Sequence, residues 1–170
     1  MSKMIAGAAV ALALSLPALA AVQKPYPEGA APALRAEAFP NLTQVYVASG
    51  VRDDGRPHRE GTATAIHCSN FTASIQRLQF IVRDYNGTVK SNRTVSVPTR
   101  GTHTATTKDT LLFNEDSYLN TGAVVQGSLQ LLATSPQMTC SAHIVYAGSA
   151  VPYSADLHLV RFNSWPGAQE

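Results

Sequence analysis

The chain has 170 residues, is 45% hydrophobic and 14% charged, and carries a formal charge of +2 with no run of one sign. That balance argues against nucleic acid or an anionic membrane surface as its main partner. The length suits one compact domain with its own core rather than several.

The first residues set the expected compartment. Lys3 supplies a positive start, residues 4–16 form an apolar run of mostly Ala and Leu, and Pro17 breaks it. Ala18-Leu19-Ala20 then fits a small-residue cleavage site ahead of Ala21, so residues 1–21 read as a secretory signal peptide. The apolar run is too short for a transmembrane anchor, and no cysteine at the cleavage point invites lipid attachment. The expectation is an exported protein, periplasmic or extracellular, with no membrane insertion after cleavage. Residues 22–41 carry Pro25, Pro27, Pro32 and Pro40, which fix φ and remove donors. They read as an extended leader, either a spacer or a segment lying against an edge strand.

Residues 42–163 change texture to short runs rich in Thr, Val, Ile and aromatics between Gly, Pro, Asn and Asp, the all-β pattern. A first strand is predicted over 42–48, followed by a charged loop over 50–61. The second strand, 62–68, places Thr64, Ile66 and Cys68 on one face and Ala63, Ala65 and His67 on the other. Residues 74–83 alternate with Leu78, Phe80 and Val82 inward, and Asn86-Gly87 signals a hairpin to a strand over 88–97. A Thr-rich strand over 102–107 reads as an edge.

Residues 109–122 are the least strand-like, and Asn114 suits the cap of a short helical turn ended by Gly122. The strand over 123–133 carries Gly127, the mark of a bulge. The second cysteine strand spans 138–146, a last strand spans 157–162, and residues 164–170 form a tail. Behind an export signal, Cys68 and Cys140 most simply pair in one disulfide. Closing a loop of that length stabilises the fold by about 4 kcal/mol in the chain-entropy model. The predicted fold is therefore an all-β antiparallel sandwich of immunoglobulin-like kind, with seven to nine short strands and one inter-strand disulfide.

No chemistry rises from the motifs. If the cysteine strands lie in different sheets, as the immunoglobulin-like reading favours, His67 and His143 end far apart on two outer surfaces; as neighbours in one sheet they come close enough to share a metal. His58, His103 and His158 show no ligand spacing. Asp53-Asp54 and Glu115-Asp116 match no calcium loop and read as solvated turns. Without a nucleophile elbow or a free thiol, the chain reads as no enzyme, with no cofactor and no metal ligand. The sequons at Asn41, Asn70, Asn86 and Asn92 read as chance occurrences. Phe113 and Tyr118, with Tyr46 and Tyr153, read either as a recognition patch on loops or as core beneath a long loop.

GTATAIHCSN at 61–70, TGAVVQGSLQLLATSPQMTCSA at 121–142 and HLVRFNSWPGAQE at 158–170 resemble a loose group of small exported bacterial proteins. That resemblance implies a small immunoglobulin-like sandwich with one disulfide and supplies no substrate, cofactor or catalytic residue. The expected role is a non-enzymatic binding or structural module of the cell envelope or extracellular space, meeting a protein partner or a second copy through an edge strand. A carbohydrate- or metal-dependent enzyme or binder on the same sandwich is the alternative.

Overall fold

The computed structural model describes residues 41–151 and 153–162. The expected signal peptide and cleavage site, the expected leader apart from Asn41, and the expected tail lie outside these residues. Ten strands and no helix occur among them: β1 Thr43–Asp53, β2 Thr62–Asn70, β3 Gln76–Arg83, β4 Val89–Val97, β5 Thr102–Thr106, β6 Ser117–Tyr118, β7 Val124–Ala133, β8 Met138–Tyr146, β9 Ser154–Leu157 and β10 Val160–Arg161. The count exceeds the expected seven to nine because β6 is a two-residue strand too short to leave an alternating pattern, and because the single last strand expected over 157–162 is instead β9 in one sheet and β10 in the other.

Sheet A has the order β10-β1-β7-β3-β4 and sheet B the order β6-β5-β2-β8-β9. All pairings are antiparallel except β5 with β6, which is parallel. Leu78, Phe80 and Val82 of β3 and Leu129, Leu131 and Ala133 of β7 face Ile66 and Cys68 of β2 and Met138 and Ala142 of β8 in one core. The alternation read for β2 and β3 thus holds. In β1 it fails: an irregularity between Gln44 and Tyr46 lets the consecutive residues Val45 and Tyr46 both be buried. Gly127 faces Val51 across a second irregularity, and a Cβ there would come 2.7 Å from the Arg83 carbonyl oxygen. Only glycine fits that approach of three strands.

Side chains tie the sheets together. The Tyr46 hydroxyl donates to the Met138 carbonyl at 3.1 Å. Thr64 of sheet B accepts from the Arg52 amide and donates to the Arg52 carbonyl of sheet A, both at 2.9 Å. Asn70 donates through Nδ2 to the carbonyls of Ser74, Val97 and Pro98, and its Oδ1 accepts from Thr72. With Asn70 1% exposed, its amide is a structural pin and is closed to glycan attachment in the fold.

The two packed sheets make the expected all-β sandwich and the Cys68–Cys140 disulfide is present; its placement corrects only the favoured assignment of the two cysteine strands to different sheets. Cys68 and Cys140 are directly paired residues of neighbouring strands within sheet B, with Cα atoms 4.2 Å apart. An immunoglobulin bridge would cross between sheets. Two cysteine strands of similar pattern identify a bridge, but pattern alone carries no sheet assignment.

Candidate functional site

The loop after β5 decides the character of sheet B's outer face. Leu112 and Phe113 fold onto Ala63, Ala65, Val145 and Ala147, forming a second, smaller apolar cluster. Small side chains on β2 leave room for that cover, which is why Ala63 and Ala65 are fully buried on the outer face. Polar side chains rather than a helix shape the loop. Glu115 accepts from the Thr110 amide and hydroxyl, and Asp116 accepts from the Thr104 amide at 2.7 Å. The capped helical turn expected at Asn114 is therefore absent, because these two carboxylates anchor an irregular crossing to β5.

Phe113 thus covers a packed face, and Tyr118 sits in β6 with its hydroxyl 3.4 Å from Asp109 Oδ1. Tyr46 is buried in the core, whereas Tyr153 is exposed. The four aromatics do not form one patch.

The same face brings two histidines together. Pairing of β2 with β8 sets Ala65 opposite His143 and His67 opposite Ser141, so the two rings are diagonal neighbours with centroids 5.8 Å apart. Of the two arrangements weighed from the sequence, the shared sheet realises the second, with the rings as neighbours, rather than the favoured one with two outer surfaces. Phe113 meets the His67 ring edge-on at 4.6 Å. His67 Nδ1 lies 3.0 Å from Thr104 Oγ1, and His143 Nδ1 lies 2.9 Å from Asp156 Oδ1. Burial, and then the neighbouring His143, push the His67 pKa below its ordinary value.

A third histidine, His103, points into the core beside Phe80, with Nε2 2.9 Å from Ser117 Oγ. Burial lowers its pKa despite the opposing pull of Asp116.

At one end of the sandwich, Lys108 joins the two long loops. Its Nζ pairs with Asp53 and Asp54 and donates to the Glu60 carbonyl at 3.3 Å, while Arg59 pairs with Asp109 at 2.8 Å. The solvated turn expected at Asp53-Asp54 is corrected at Asp53, which is 2% exposed and pairs with Lys108, 5% exposed, while Asp54 stays at the surface as the outer partner of the same ammonium. Burial would raise the Asp54 pKa, but Lys108 and the Thr62 and Arg56 amides outweigh it and hold the carboxyl at about 2. Sequence reasoning picked out Asp53-Asp54 but missed their partner, because Lys108 lies 54 positions from Asp54.

β4 forms one edge of sheet A over nine residues. Lys90 and Arg93 supply its charge and it holds no acid. Arg93 stands opposite Phe80 and donates to the Tyr118 carbonyl of sheet B at 3.1 Å. Comparison with protein-family models, with curated proteins and with solved structures finds no match to this chain.

Proposed function

We propose that the chain is an exported, non-enzymatic binding module that pairs β4 with an extended, acidic segment of a protein partner. The carrying observation is the nine-residue edge, whose outer row of backbone groups has no ladder partner among the described residues. Such a row is a template for strand addition. Lys90 and Arg93 disfavour a second β4 laid alongside, since like charges would meet across the pair. The same cations favour a strand bearing carboxylates. The disulfide is compatible with an oxidising compartment and supports export.

The test is amide hydrogen exchange of the oxidised chain with an extended peptide of about ten residues alternating Val and Glu, long enough to span β4. Protection concentrated in β4, and lost in the double variant Lys90→Glu, Arg93→Glu, supports the reading. Unchanged exchange in β4, or protection that survives the double variant, sinks it.

A further inference from the structure

We propose that His67 and His143 form a zinc-ion site on the outer face of sheet B, with Thr104 and Asp156 orienting the two rings. This is independent of strand addition at β4.

The argument starts from strand order. In β5-β2-β8-β9, the Nδ1 atom of His67 is held by Thr104 on β5, and that of His143 by Asp156 on β9. The two holds lie on opposite flanks, so the Nδ1 edges are drawn apart and the Nε2 edges are left towards each other. Neither Nε2 has a hydrogen-bond partner among the described residues. Histidine ligands characteristically donate their second ring N–H to a carboxylate, a carbonyl or water, which fixes the tautomer that presents the other nitrogen's lone pair. Asp156 provides that hold for His143, and the Thr104 hydroxyl provides it for His67.

The spacing fits a tetrahedral ion. With Zn–N bonds of about 2.0–2.1 Å, ring centroids lie about 3.2 Å from the metal and about 5.2 Å from each other. The observed separation is 5.8 Å, so rotation of the rings by a few tenths of an ångström each closes the site. A square-planar ion would need centroids about 4.5 Å apart for a cis pair or about 6.4 Å for a trans pair, whereas zinc, with no geometric preference from its d-electrons, tolerates the intermediate spacing. Phe113 packs against His67 and screens one side of the site from water. No group of three or more His, Cys, Asp or Glu side chains converges to hold a metal among the described residues, so two coordination positions remain for water or an added ligand.

The test is titration of the oxidised full chain with zinc chloride, read by calorimetry and by the histidine ring resonances. The expected result is one saturable site at which the His67 and His143 signals move together. His143 is half-buried on a regular strand, so His143→Gln keeps the fold and should weaken binding by at least about tenfold. Asp156→Asn should weaken it by about tenfold through the loss of ring orientation. His58→Gln and His158→Gln, at exposed positions, should leave it unchanged. Absence of saturable binding, binding that survives His143→Gln, or binding lost with His58→Gln or His158→Gln would overturn the site. Binding indifferent to Asp156→Asn would overturn the orienting role.

Discussion

Lys108 Nζ lies 2.9 Å from Asp53 Oδ1, and both side chains are buried where the two charged loops meet. Removing one member of a buried pair leaves an uncompensated charge, at a cost of about 3–5 kcal/mol. Lys108→Met is therefore expected to lower the unfolding free energy by about that amount, and adding Asp53→Asn should recover part of it. Urea unfolding of both variants checks this; a single variant within about 1 kcal/mol of the parent would show that the pair is not desolvated. Asp54 adds a pH signature. Its folded pKa of about 2 lies below its ordinary 3.8, so its contribution is complete above pH 3.8 and is lost as pH falls through 2.

A second pH dependence comes from His103 and His67, both held below their ordinary 6.5 chiefly by burial. The fold keeps these rings neutral, whereas the unfolded chain takes up protons near pH 6.5. Stability should therefore be complete above 6.5 and decline as pH falls below it, until the folded-state pKa values are reached. Urea midpoints measured at intervals between pH 7.5 and 5 should fall, and His103→Gln should reduce the slope. A flat profile over that range would contradict the burial assignment.

Much of the frame was legible because it rests on local rules. Alternation gave the inward faces of β2 and β3, and Asn86-Gly87 marked the turn into β4, where Gly87 takes a φ of +83°. Pairing between distant strands left no such trace. Nothing in the spacing of Cys68 and Cys140 tells a bridge within one sheet from a bridge between two, and the proximity of His67 to His143 hangs on that distinction. The ion cluster of Asp53, Asp54 and Lys108 was hidden for the same reason. Each partner alone looks like a surface charge, and only the approach of the two loops buries Asp53 and Lys108, with Asp54 at the rim.

Asn70 lies at the end of β2 and satisfies three carbonyls from the segments leading into β3 and out of β4. Asn70→Ala removes all three bonds; the Ser74 and Pro98 carbonyls keep donors in the Thr72 hydroxyl and the Gly101 amide, so the loss falls mainly on the buried bond to the Val97 carbonyl. The expected net loss is about 1–3 kcal/mol. Asn70→Asp should be no better, because it replaces the donating amide with a second acceptor. Thermal unfolding of both variants is the check, and a loss confined to Asn70→Asp would mean that the carbonyls find other donors.

Thr106 is fully buried on the outer face of sheet B opposite Ala65, and its Oγ1 is the one buried side-chain polar atom without a hydrogen-bond partner among the described residues. Its backbone is fully used, pairing with β2 and with the Leu119 amide. The hydroxyl thus carries a desolvation cost with no return. Valine has nearly the same shape and a high strand preference, so Thr106→Val removes that cost without opening a cavity. The expected gain is about 1 kcal/mol, seen as a higher urea midpoint with an unchanged slope. A loss instead would mean that the hydroxyl binds an ordered water beneath the Leu112–Phe113 cover. Thr106→Ser separates the two cases: it keeps the hydroxyl and removes a methyl, so it should cost stability if packing dominates and be nearly neutral if a bound water does.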